Sequence, residues 1–174
     1  IDGGARELGM IDGKTYGMAF TFSTPVLYIN ADLFREAGLD PETDAPKTWE
    51  DMLTVCGTIK EKTGVYGLCL PATATNSWIT ESLIFSNGGT MLSDDRTQAN
   101  FASEETVEAF TLWKQLYEEG LCAPGTETEA SQQFFTQSAA MYLSSTAVQS
   151  MIQQAADAAG WELTGAAEPA FGDK

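Results

Sequence analysis

The chain has 174 residues, 43% hydrophobic and 10% aromatic, which suits one globular domain with a sizeable core. Its formal net charge of −16 repels nucleic acid and anionic membrane surfaces, so neither is expected as a partner. Histidine is absent, which removes the usual general base, the usual zinc ligand and every Ser-His or Cys-His nucleophile system.

Ile1 to Lys14 is polar and Gly-rich, with a turn expected at Asp12-Gly13. Tyr16 to Phe22 and Pro25 to Ile29 read as two strands separated by Ser23-Thr24. Ala31 to Ala37 reads as a short helix stopped by Gly38 and Pro41. Thr48 is placed to cap the next helix, with Glu50 and Asp51 in its first turn. In that helix Trp49, Met52, Leu53, Cys56 and Ile59 follow helical spacing, and Gly64 ends it. Val65 to Leu70 is an expected strand closed by Pro71, and Ser77 to Phe85 an expected helix broken by Asn87-Gly88-Gly89. Met91 to Phe101, with Asp94-Asp95 inside it, reads as a surface hairpin or loop. Ser103 caps a long helix carrying Val107, Phe110, Trp113 and Tyr117 and closed by Gly120. Ala130 to Phe135 is a short helix and Ala139 to Leu143 a strand. Ala147 to Ala159 is a helix with Val148, Met151, Ile152, Ala155, Ala156 and Ala159 on one face, and Trp161 to Ala167 is a last strand. Alternation of strand and helix gives an α/β layered domain. No apolar run approaches the roughly 20 residues of a membrane span, so direct membrane insertion is not expected.

The three cysteines are Cys56, Cys69 and Cys122, an odd count without paired spacing, which argues against a disulfide framework. Cys56 falls on an apolar helix face and Cys69 within a strand, as small core residues do. Among the 25 acidic residues, none is read as sitting in an apolar stretch where burial would raise its pKa, which weighs against a two-carboxylate glycosidase. A calcium module built on Ser93-Asp94-Asp95 lacks the alternating oxygen ligands and terminal Glu of an EF-hand.

The order of segments is more specific than any one of them. Ile11-Asp12-Gly13-Lys14 and Tyr16-Gly17 precede TPVLYIN and Asp32-Leu33-Phe34, then AGLDP and PKTWEDM; Trp78, Asn87-Gly88-Gly89, Leu116-Tyr117-Glu118-Glu119-Gly120-Leu121, Phe134 and Ala139-Ala140-Met141-Tyr142 follow. This order resembles the extracellular solute-binding proteins of ABC importers, in the family that takes sugars and glycerol phosphates. The resemblance implies one lobe of a class II periplasmic-binding-protein-like fold, spanning residues 1–174, with the first lobe and a C-terminal segment lying outside the chain. It implies a small-molecule solute and the transporter's membrane subunits as partners. No cofactor, metal or catalysis is implied, and the location is extracytoplasmic, periplasmic or lipoprotein-anchored. The hinge would run through Phe20, Thr21, Phe22 and Thr24. Ligand contacts fall at Ser23, Trp78 and Ser145, with Asn76 and Ser144 as neighbours sharing the role. Thr146-Ala147 stands where the maltose branch carries a Gly-Pro-Trp, so the serine pattern is closer to the glycerol-3-phosphate branch.

Physically, helix N-termini near Asn76-Ser77 and Ser144-Thr146 would offer free N–H groups to an anion or polyol, with Trp78 as an apolar wall. The alternative is plain capping by Asn76, Ser77 and Ser145, with Trp78 in the core. Only nine Lys and Arg residues are present, and Lys14 is the nearest in sequence to the expected contacts. The charge therefore favours a neutral sugar while the serines favour a glycerol phosphate, and a lobe alone, holding half a site, is expected to bind weakly.

Overall fold

The computed structural model describes residues 4, 7–70 and 77–172. Short β1 (Met10–Ile11) and β2 (Lys14–Thr15) form a hairpin whose turn residues, Asp12 and Gly13, have φ of 48° and 74°. Asp and Gly tolerate that left-handed region, and a two-residue hairpin turn requires it.

Five further strands build the main sheet. They are β3 (Pro25–Asn30), β4 (Tyr66–Cys69), β5 (Cys122–Ala123), β6 (Ala139–Ser145) and β7 (Leu163–Ala167), in the spatial order β5-β4-β6-β3-β7. β4 is parallel to β5 and β6, whereas β3 is antiparallel to β6 and β7. Four strands thus run one way and β3 runs against them. Strand alternation divides their side chains between two faces. Leu27, Ile29, Leu68, Met141 and Leu143 join the larger core, and Tyr28, Cys69 and Tyr142 join the smaller one.

Helices α1 (Ala31–Glu36), α2 (Trp49–Thr63), α3 (Ser77–Ser86) and α4 (Glu104–Glu118) contribute Phe34, Trp49, Met52, Cys56, Leu83 and Trp113 to the larger core. α5 (Glu127–Phe135) and α6 (Gln149–Ala159) cover the other face through Ala130, Phe134, Ile152 and Ala156. The layered α/β expectation therefore holds, as a mixed sheet between two helical layers. Local chemistry sets the helix ends. Thr48 accepts from the Asp51 N–H at 3.0 Å while Asp51 accepts from the Thr48 N–H at 3.0 Å, a capping box that starts α2. Gly64, at φ 79°, ends it. Asn30 caps α1 by accepting from the N–H groups of Asp32 and Leu33, both at 3.1 Å.

Three expectations are corrected. Tyr16 to Phe22 is not a strand: the Tyr16 and Gly17 N–H groups donate to the Gly9 carbonyl at 2.9 and 3.2 Å, and beyond them no ladder with a described strand forms, without which a strand has no place for its backbone groups. The core face of α4 is Thr106, Ala109, Trp113 and Leu116, whereas Val107 and Phe110 are 58% and 41% exposed. α4 approaches the turn after α3 so closely that a Cβ on Gly89 would lie 2.9 Å from the Thr106 Oγ1. The helix expected from Ala147 begins as a 3-10 turn, Thr146–Val148, before α6, and Met151 lies outside its buried face. Met91 to Phe101 is a loop drawn together by a bridge between Leu92 and Ala99.

Candidate functional site

Because four strands share a direction, the carboxyl ends of β4, β5, β6 and β7 lie at one end of the sheet, together with the start of β3. In open α/β sheets that end is where ligands bind. The register places Pro25 opposite Ser145 and Val26 opposite Ser144. The ladder continues past the strand, because the Thr146 N–H donates to the Thr24 carbonyl at 3.0 Å and the Thr24 N–H to the Thr146 Oγ1 at 3.3 Å. Ser23, Thr24, Ser144 and Ser145, far apart in sequence, are thereby brought together. Trp78 enters from the first turn of α3, which follows the carboxyl end of β4. Asn76 lies outside the described residues.

The side chains differ in what they offer. Ser144 is 5% exposed, whereas Trp78 is 37% exposed and so is not a core residue. Ser145 caps the 3-10 turn, its Oγ accepting from the Ala147 N–H at 3.0 Å, and its carbonyl accepts from the Tyr28 hydroxyl at 2.9 Å. The capping role read from the sequence is thus real for Ser145. The N–H groups of Thr146 and Ala147 are both engaged within the chain, which leaves this turn less able to hold an anion than an open helix end. Before β3, the segment named as a hinge is solvent-facing: Phe20 is 99% and Phe22 67% exposed, and Thr21 and Thr24 are exposed as well.

Two residues here escaped the sequence reading, Ser82 and Glu168. Ser82 is one helical turn from Trp78, so the two share a face of α3. Glu168 follows β7, half-buried, and its Oε1 lies 2.7 Å from the Ser82 Oγ. Glu168 sits within Ala166-Ala167-Glu168-Pro169-Ala170-Phe171, an apolar stretch, which corrects the statement that no acidic residue does so. Burial pushes its carboxyl above the ordinary value, and the hydrogen bond with Ser82 pulls it partly back. The Ser82 Oγ also lies 2.8 Å from the Ile79 carbonyl. The Ser82 hydroxyl donates to the Glu168 carboxyl group, and the Ile79 carbonyl is the alternative acceptor within reach of the same proton.

The sign of the pH effect follows. The folded chain holds the carboxyl proton of Glu168 more tightly than the unfolded chain, so the contribution is fully present below the ordinary glutamate pKa. It is lost as pH rises through the raised one. Urea unfolding from about pH 4 to about pH 7, across the carboxylate range, is expected to show wild-type stability falling relative to Glu168→Gln. A difference between the two that stays flat with pH contradicts the assignment.

Among the described residues, the cysteines and the loop at Asp95 do not assemble a reaction centre. Cys56, Cys69 and Cys122 are free and buried, and burial pushes their thiols up, that of Cys122 to about 12, so none is a thiolate near neutral pH. Asp95 spends its oxygens on Ser93 and Thr97, at 2.6 to 3.1 Å. No group of three or more acidic or cysteine residues arranged to hold a metal ion occurs among the described residues. A hollow of about 570 Å³ lies at the opposite end of the sheet, between Arg35, Gly38, Glu42, Glu162 and Thr164. There Arg35 pairs with Glu162 at 2.8 Å and with Asp32 at 3.1 Å.

An α/β unit with a mixed sheet between two helical layers is the build of the periplasmic binding protein type II fold. Residues 1–170 match the model of the bacterial extracellular solute-binding protein family, and the chain belongs to that family. It is 32% identical over 138 residues to the sn-glycerol-3-phosphate-binding periplasmic protein UgpB of Escherichia coli (strain K12), covering 74% of this chain and 30% of that protein. Its fold is similar to that of UgpB from Mycobacterium tuberculosis in complex with glycerophosphocholine, with a TM-score of 0.82 and 18% identity over 99% of this chain and 44% of that one. It is also similar to the ABC substrate-binding protein Lmo0181 from Listeria monocytogenes in complex with cycloalternan, with a TM-score of 0.80 and 27% identity over 99% of this chain and 44% of that one. The chain thus spans about a third of the curated relatives and under half of the solved chains. No described helix is long and apolar enough to cross a membrane.

Proposed function

We propose that residues 1–174 form one lobe of a two-lobe solute-binding protein that delivers glycerol-phosphate esters or carbohydrates to a bacterial ABC importer, outside the cytoplasm. In this reading the protein captures a solute and catalyses nothing. The observation that carries it is the convergence of Ser23, Thr24, Ser144, Ser145 and the exposed Trp78 at the carboxyl end of the sheet. Closure of the lobes about Phe20, Thr21, Phe22 and Thr24 would trap the solute, because a ligand touching both lobes favours the closed state. Phe20, Thr21 and Phe22 are exposed and carry no strand ladder among the described residues, which supports a connecting role. The transporter's membrane subunits would then receive the closed form.

Calorimetric titration of the two-lobe protein with sn-glycerol 3-phosphate, glycerophosphocholine and a maltooligosaccharide tests this, with the 174-residue chain as control. We expect binding by the two-lobe protein and little or none by the lobe alone. Trp78→Ala is expected to weaken binding about tenfold or more, as loss of an aromatic anchor worth about 2 kcal/mol would. Unchanged affinity in Trp78→Ala counts against the site.

A further inference from the structure

We propose that Glu168, held by Ser82, is a specificity-determining residue that admits a neutral polyhydroxylated solute and turns away phosphate esters. This rests on the solute-binding reading of the same end of the sheet. Glu168 leaves β7 directly after Ala167, which pairs with Val26, two residues beyond Thr24 and opposite Ser144. Its partner Ser82 shares the α3 face with Trp78. The carboxyl group is thereby tied to both sides of the serine cluster: to β3 and β6 through the sheet, and to the tryptophan through α3.

One described cation comes to this end of the sheet, Lys47, whose carbonyl accepts from the Ala170 N–H at 3.0 Å. Among the described residues no Lys or Arg pairs with Glu168; its only side-chain partner is Ser82. The described cations with partners are spent elsewhere. Arg35 is tied to Asp32 and Glu162 at the far end of the sheet, Lys62 to Glu61, Lys114 to Glu118, and Lys60 lies 4.3 Å over the Tyr66 ring. The backbone donors that would hold a phosphate at the end of β6 are consumed by Thr24 and Ser145. A phosphate ester would bring a second negative charge towards a half-buried carboxyl, and each would raise the cost of the other. A sugar or polyol hydroxyl instead donates to the carboxylate, and its apolar ring face suits the exposed indole of Trp78.

The test is a melting-temperature panel on the two-lobe protein, wild type and Glu168→Gln. Neutral members are maltotriose, xylotriose and raffinose; phosphate-ester members are the anionic sn-glycerol 3-phosphate and glucose 6-phosphate and the zwitterionic glycerophosphocholine. Hits are followed by titration. Wild type is expected to bind a neutral member at least tenfold more tightly than any phosphate ester, and Glu168→Gln to shrink that ratio at least fivefold. A wild type that prefers a phosphate ester overturns the inference while leaving solute binding intact, and it does so whether or not the variant folds. A ratio unchanged in a folded Glu168→Gln overturns it too. A wild type that responds to no member sinks the solute-binding reading and this inference together.

Discussion

Gly67→Ala is expected to destabilise the core of the chain at or above the roughly 1–3 kcal/mol of ordinary overpacking. A Cβ at residue 67 would collide with the Cα and Cβ of Cys56 and meet its Sγ at 2.5 Å. Two of those atoms belong to or adjoin the backbone of α2, so no rotamer change relieves the clash. β4 and α2 would have to separate, and with them the larger core at Cys56, Leu68 and Cys122. Gly57→Ala, one residue further along α2, is the control. Nothing lies within 4 Å of its added Cβ. A helical glycine replaced by alanine gains about 0.5–1 kcal/mol where space allows. Urea midpoints should therefore move in opposite directions for these two substitutions. Similar midpoints would mean that the packing of α2 on β4 differs from the one described.

Trp49→Ala is the second large effect, with an expected loss of about 3–5 kcal/mol. Trp49 is fully buried, packs edge-on against Trp113 at 6.1 Å and stacks on Phe171 at 6.2 Å. It joins the start of α2 to α4 and to the chain after β7, where the Trp49 N–H also donates to the Ala170 carbonyl at 2.9 Å. Its indole N–H has no hydrogen-bond partner among the described residues. Trp49→Phe keeps an aromatic ring and removes that orphan donor, so its cost is expected to stay below about 1.5 kcal/mol. A Phe variant as damaged as the Ala variant would show that the indole nitrogen is in fact satisfied.

Much of the fold was legible because short-range chemistry decided it. Thr48 with Asp51, Ser103, Gly64 and Gly120 mark helix ends by capping and left-handed turns, and the strands at Pro25–Asn30 and Ala139–Ser145 show as apolar runs. What local pattern cannot show is which neighbour an element has. Tyr16 to Phe22 has the composition of a strand and, beyond the bonds of Tyr16 and Gly17 to Gly9, lacks a ladder partner among the described residues. Val107 and Phe110 have helical spacing, yet α4 presents Thr106, Ala109, Trp113 and Leu116 to the core instead. In the site, the serines and Trp78 were visible through family resemblance and strand-end position. Ser82 and Glu168 were not, because their meeting spans 86 residues and depends on α3 lying beside the exit of β7. The apolar setting of Glu168 was the one local signal for it.

The central claim is that the solute binds at the carboxyl end of the sheet. Hydrogen exchange of the two-lobe protein, with and without a solute that binds it, tests this most directly. The account predicts slowed exchange at Thr24, at Trp78 to Ser82 and at Thr146 to Gln149, with the hollow at Arg35, Gly38 and Glu162 unchanged. Protection confined to that hollow, with the strand ends exchanging as before, would contradict it.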